Sequence, residues 1–204
     1  MARLGGKKMK ILGIIVIIIA VIAIVSLMVL ARYGLFYSVS IPEKNVGPYL
    51  LVYKTHVGDY KSVGPIIGEL YSDLKNSYSI EATKGFGLYY DNPQQVDKAK
   101  LRSIVGCIVE GRSVEDLKKV TSKYGVKEYP SSKSVVAEFP YKGKMSILIG
   151  VFKIYPKLAS YIKEHKYTQT PIMELYDQPN KRIEYISSIN LSSDIFDGFL
   201  KSNK

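Results

Sequence analysis

One carboxylate stands out against its neighbours. Glu174 interrupts the run Ile172-Met173-Glu174-Leu175-Tyr176, whose other members are apolar or aromatic. A carboxylate withdrawn from water among such side chains is costly, so it must be ion-paired, held neutral, or set in a cleft that receives a cation or a polar ligand. Residues two apart on a strand share a face, which groups Glu174 with Ile172 and Tyr176. Further aromatic residues on strand-like segments are Tyr53, Tyr89, Tyr90, Phe139 and Tyr141. Rings around a carboxylate make a cage suited to a cationic or amphipathic organic molecule. The same residues admit plainer readings, with Glu174 on an exposed sheet face or beside a lysine and the rings as ordinary core.

Little else in the chain offers chemistry. Cys107 is the only cysteine, so no internal disulfide can form, and its apolar surroundings over residues 104–109 make it a small buried hydrophobe. His56 and His165 are far apart with no partners at metal-ligand spacing, and no Ser-His-Asp or Cys-His pattern is present. Neither a metal nor a cofactor is expected. The net charge of +11 shrinks outside the N-terminal region, because Arg3, Lys7, Lys8, Lys10 and Arg32 flank one apolar segment; beyond Arg32, 24 basic residues face 18 acidic ones. Those charges are interspersed, without an Arg-rich run or zinc-finger spacing, so nucleic acid is not an expected partner.

The apolar segment 11–31 is broken only by Gly13 and Ser26. Its 21 residues reach about 31 Å as a helix, the thickness of a bilayer core. Tyr33, Phe36 and Tyr37 follow where an interfacial aromatic belt would sit. A signal peptide is the alternative, but its apolar region spans about 7–15 residues and this one is longer. The segment therefore reads as a single uncleaved anchor, and the membrane as a partner. Four basic residues before it against Arg32 after it place the N-terminus in the cytoplasm.

The elements that must position Glu174 show an internal repeat. Leu88-Tyr89-Tyr90-Asp91-Asn92-Pro93 returns 86 residues later as Glu174-Leu175-Tyr176-Asp177-Gln178-Pro179, each copy ending a strand in turn chemistry. This alignment sets Leu88 opposite Glu174 and predicts that both point to equivalent faces. Around the repeats, the patterning predicts a strand over 49–57, a helix over 62–76, and strands over 86–90 and 101–109. After a short helix over 114–124, the order recurs: a strand over 134–141, a helix over 145–165 kinked by Pro156, and strands over 172–176 and 182–190. The class is α+β, a duplicated β-α-β-β domain preceded by one transmembrane helix. The divisions are a basic flank 1–10, the anchor 11–31, a tether 32–47, the domain 48–190 and a short tail 191–204.

These residues also resemble a known family. The runs Gly47-Pro48-Tyr49, His56-Val57-Gly58-Asp59-Tyr60, Tyr89-Tyr90-Asp91-Asn92-Pro93, Leu101-Arg102-Ser103 with Val105-Gly106, Phe139-Pro140-Tyr141, Tyr155-Pro156, Tyr161-Ile162-Lys163-Glu164 and Glu174-Leu175-Tyr176 occur in order across residues 47–190. Together they resemble the GyrI-like small-molecule-binding domains, and more closely the membrane-anchored branch that includes a testis-expressed ER-phagy receptor. The resemblance implies a ligand groove between the two halves. It also implies that Glu174 matches the late-strand glutamate with which related multidrug-regulator domains contact cationic ligands. Its other implications are a protein-interaction receptor at the membrane, or hydrolysis of strained small molecules with Glu174 as acid/base. Two departures matter. No helix-turn-helix precedes the domain, and residues 191–204 contain no aromatic-x-x-aliphatic motif, so neither DNA regulation nor an autophagy role is expected.

Overall fold

The computed structural model describes residues 2–201, with side chains from Lys8 onward. Helix α1 (Ala2–Arg32) contains the apolar segment. From Lys8 to Arg32 it is long and apolar enough to cross a membrane, and its central window is exposed throughout. Eight antiparallel strands follow: β1 (Glu43–Val46), β2 (Tyr49–Val57), β3 (Lys84–Tyr89), β4 (Arg102–Ile108), β5 (Gly125–Tyr129), β6 (Ser132–Pro140), β7 (Ile172–Asp177) and β8 (Arg182–Ser188). They form one sheet in the order β1-β6-β8-β7-β3-β4-β2-β5. Helices α2 (Val63–Tyr78), α3 (Lys144–Glu164) and α4 (Ser193–Leu200) complete the fold, whose class is α+β.

The duplication is visible in the topology. β2-α2-β3-β4 and β6-α3-β7-β8 each place their third strand between the first two, and the halves meet where β3 pairs with β7. Each half closes its repeated turn in a related way. Asp91 accepts from the backbone N–H of Arg102 (2.7 Å) and from its guanidinium (2.7 and 3.0 Å). Asp177 accepts from the backbone and side chain of Asn180 and lies 3.4 Å from the Arg182 guanidinium. Arg102 and Arg182 are the first residues of β4 and β8, so in both copies the turn aspartate is tied to the start of the next strand.

Strand parity decides which side chains reach which layer. One face carries Val52, Cys107, Ala137, Phe139, Ile183 and Tyr185, against which α2 and α3 pack through Leu70, Leu74, Ile154 and Leu158. The other carries Leu51, Tyr53, Phe86, Leu88, Met173 and Leu175, capped by Phe196 and Phe199 of α4. Phe196, Phe199 and Leu200 recur at helical spacing, which gives this short helix the apolar side that covers the sheet.

Several boundaries differ from the sequence expectation. The tether 32–47 contains an edge strand, β1, because Glu43–Val46 pairs with β6. The helix expected over 114–124 is a single 3-10 turn, Glu115–Leu117, followed by further turns; Leu117, Val120 and Tyr124 still pack on α2. Gly125 does not end a helix there but begins β5, which lies along β2 opposite Tyr53. The segment 191–204 carries α4, with Phe196 and Phe199 fully buried; its last three residues lie outside the described ones. Pro156 sits inside one continuous helix, α3, where its missing N–H removes the bond that the Phe152 carbonyl would otherwise accept from position 156.

The predicted equivalence of Leu88 and Glu174 is corrected by the register. Leu88 pairs with Met173 and faces α4, whereas Glu174 pairs with Gly87 and faces α2 and α3. Shifting the repeat by one residue restores the phase, because Tyr89 and Tyr176 then correspond and share a face. Gly87 becomes the counterpart of Glu174, and the two stand directly opposite each other where the halves meet. The 86-residue match follows the turns; the strands are one residue out of step with it. Such a slip reverses every side chain.

Candidate functional site

Glu174 lies mid-strand on β7 at the seam between the halves and is 3% exposed. Tyr155, projecting from α3, donates to its Oε1 at 2.7 Å, and Tyr176, two residues along β7, donates to its Oε2 at 2.7 Å. The Tyr89 and Tyr176 hydroxyls are 3.2 Å apart, which extends the chain of hydroxyls from β7 onto β3. Tyr60 then packs edge-on against Tyr89 at 4.8 Å between ring centres. Gly87 makes this possible: a Cβ there would lie 2.6–2.8 Å from the Tyr89 ring and hydroxyl, so the ring folds across the glycine beside the carboxylate.

Tyr185 stands opposite Glu174 across the β7–β8 pair. Its ring meets Tyr155 edge-on at 5.9 Å, and its hydroxyl is buried without a hydrogen-bond partner among the described residues. That hydroxyl lies under Gly150 of α3, where any larger residue would collide with it. Four tyrosines on four elements, α3, β7, β3 and β8, thus converge on one carboxylate. Among the described residues, no lysine or arginine is paired with it.

The electrostatics follow from this geometry. Desolvation pushes the Glu174 carboxyl above its ordinary value, and the hydroxyls of Tyr176 and Tyr155 offset only part of that. Burial, then the nearby carboxylate, hold the Tyr155 and Tyr176 hydroxyls far above a normal phenol, so both remain donors. Glu43 makes the contrast plain. It too accepts from two tyrosines, Tyr167 at 2.6 Å and Tyr161 at 3.3 Å, but Lys133 is 2.7 Å away and its carboxyl is lowered. Two tyrosine donors without a cation leave the Glu174 carboxyl easier to protonate than an exposed glutamate and open to any cation that can reach it.

The expected ring set divides between the two faces. Tyr176 and Tyr89 belong to the Glu174 chain, and the Tyr141 ring centre is 6.3 Å from that of Tyr176. Phe139 is on the same face but fully buried beneath α3, with Tyr37 edge-on at 5.5 Å. Tyr53 and Tyr90 are on the opposite side. Tyr53 packs against Phe199, because its neighbour Val52 takes the helix side, and the Tyr90 hydroxyl donates to the Phe196 carbonyl at 2.7 Å. Tyr155 and Tyr185 were missed as site residues. The β7–β8 hairpin register would have found Tyr185; Tyr155 required knowing how α3 lies across the sheet. Cys107 is buried, and desolvation pushes its thiol up to about 12, the wrong direction for a nucleophile.

Comparison with known proteins places the fold. Residues 40–189 match the model of the GyrI-like small molecule binding domain. The chain is 32% identical over 163 residues to the testis-expressed protein 264 homolog of Mus musculus, covering 77% of this chain and 49% of that one. Against human testis-expressed protein 264 the identity is 33% over 164 residues, covering 74% and 50%. The chain therefore spans about half the length of these two relatives. Its fold is similar to the crystal structure of the EcmrR C-terminal domain, with a TM-score of 0.53 at 12% identity over 77% of this chain and 99% of that one.

Proposed function

This chain belongs to the family of GyrI-like small molecule binding domains, and on that premise we propose that it is a membrane-held module that takes a small organic cation or cationic amphiphile against Glu174. The observation that carries the proposal is the buried carboxylate with two tyrosine donors and no cationic partner among the described residues. A ligand cation supplies the missing charge, and the tyrosine faces of the same cluster favour it further. Tyr155 roofs the carboxylate from α3, so admitting a ligand requires its side chain or α3 itself to shift. In this reading α1 is a single membrane span that keeps the domain beside a bilayer, with the N-terminus cytoplasmic.

The test is equilibrium binding of tetraphenylphosphonium and cationic dyes to the full chain and to Glu174→Gln. Loss of a charge-assisted contact of about 1.5–3 kcal/mol predicts roughly 10–100-fold weaker binding by the variant. Binding that is absent from the native chain, or unchanged in the variant, removes the proposal. Protease accessibility of the domain in sealed vesicles tests the orientation separately.

A second reading is favoured by the same hydrogen bonds. A carboxyl with a raised pKa beside two tyrosine hydroxyls is equipped for acid/base work on a strained small molecule. Turnover of such electrophiles that disappears in Glu174→Gln would support it; no turnover across a panel of them would leave binding alone.

A further inference from the structure

Helix α3 has two apolar sides. The inner one, with Ile154 and Leu158, packs on the sheet. On the outer one, Met145, Leu148 and Phe152 recur at i, i+3 and i+7, within an arc of about 60° at 100° per residue. They are 40%, 54% and 77% exposed, and the next positions along that line, Pro156 and Ala159, are also exposed. Large apolar side chains gathered on one exposed face mark a surface with a partner.

The position of this face identifies the partner. Leu30 of α1 and Tyr33, one residue past its end, pack into the cluster beneath α3. A Cβ at Gly143, the residue before α3, would be 3.9 Å from the Tyr33 ring. Lys153 of α3 donates to the carbonyls of Leu35 and Tyr37, pinning the connector to the helix. The apolar helix α1 therefore ends against α3, and Phe36 and Tyr37 between them are exposed as well. Charge agrees with position: residues 142–164 contain five lysines against one acidic residue, Glu164, at the end of α3 farthest from Met145.

We infer that the outer face of α3 rests on the surface of the bilayer that α1 enters, with Met145, Leu148 and Phe152 at the headgroup–acyl boundary and Lys142, Lys144, Lys157 and Lys163 on anionic phospholipid headgroups. The inference rests on α1 being a membrane span. It gives α3 two roles, since the same helix holds Tyr155 over Glu174.

The chain has no tryptophan, so a single introduced one is an unambiguous reporter. The full chain carrying Phe152→Trp, or separately Ile18→Trp, is reconstituted into phosphatidylcholine vesicles with about one-quarter phosphatidylglycerol, with and without brominated acyl chains. Emission from both reporters is expected to be quenched about twofold or more by the brominated lipid, and adding Met145→Glu with Leu148→Glu should remove most of the quenching at position 152 while leaving position 18 unchanged. Quenching at 18 but not at 152 overturns the inference and leaves the span intact. A blue-shifted but unquenched reporter at 152 overturns it in favour of a second copy covering the face. No quenching at either position defeats the span reading and the inference with it. Quenching at 152 that survives the double substitution overturns the assignment of this face.

Discussion

Replacing Glu174 by glutamine should stabilise the domain at neutral pH while weakening its ligand binding. The native carboxylate accepts two tyrosine hydrogen bonds of 2.7 Å and is 3% exposed. Those bonds contribute about 1.5–3 kcal/mol each to a charged acceptor, against a desolvation penalty of several kcal/mol for a buried ion without a counter-charge. The raised carboxyl pKa shows that desolvation wins. A folded-state pKa above the unfolded one means that this group's stability contribution is complete below the unfolded value near 4.5 and is lost as pH rises through the folded value. Glutamine keeps an acceptor for one tyrosine and a donor for the other, and its size is the same. Removing an uncompensated buried charge in this way should raise stability by about 1–3 kcal/mol at pH 8, within the range seen when buried ions are replaced by neutral groups. At pH 4, where both side chains are neutral, the gap should shrink to within about 1 kcal/mol. Urea unfolding of the full chain in detergent micelles, followed by circular dichroism from pH 4 to 8, measures both quantities. A variant that is less stable than the native chain at pH 8, or a gap indifferent to pH, would refute the reasoning and mean that the carboxylate is solvated or paired.

Other consequences follow from the same contacts. Tyr155→Phe leaves Glu174 Oε1 without its donor and should cost about 1–3 kcal/mol at pH 8, less at pH 4, and move the carboxyl titration further upward; carboxyl-labelled NMR reads the last effect. Phe199→Ala empties a fully buried site between α4 and Tyr53 and should lower stability by about 3–5 kcal/mol, read from the urea midpoint; a surface-like cost below 1 kcal/mol would mean that α4 does not cap the sheet. Cys107 should resist thiol reagents at pH 8 in the native chain and react fully in denaturant, since it is buried and its thiol is pushed up to about 12.

Periodicity carried most of the architecture. The eight elements of the two repeats can be read because their apolar residues alternate on strands or recur on helices, and the doubled Asp-containing turn reveals the duplication. What failed were short edge elements. Glu43–Val46 and Gly125–Tyr129 lie at the two ends of the sheet, where one side of the strand meets water and polar residues are tolerated, so neither shows a run of alternation. Helix α4 is eight residues long, too short for a convincing stripe, and is held by the sheet it covers. At the site, Glu174 was legible because a carboxylate among apolar residues is conspicuous in any context. Its surroundings were legible only where strand parity sufficed, as for Tyr176. Tyr89 was only one of the rings named, since the 86-residue alignment put Tyr90 and not Tyr89 in step with Tyr176; Tyr53 and Tyr90 lie on the far face because ring content alone does not distinguish the two sides of a sheet. The repeat itself misled by one residue. The turns align at 86, yet the strands align at 87, and that difference exchanges Leu88 for Gly87 as the partner position of Glu174.

The central claim is that Glu174 supplies the charge for a cationic ligand, and proton counting tests it most directly. A carboxyl held above its ordinary pKa must lose its proton to pair with a permanent cation, so binding should release up to about one proton as the pH is lowered into its titration range. Calorimetry of tetraphenylphosphonium binding to the full chain, in two buffers of different ionisation enthalpy between pH 4 and 8, measures that number. The account predicts proton release by the native chain and none by Glu174→Gln, whose affinity is weaker. Equal affinity in both proteins with no proton exchanged would contradict it.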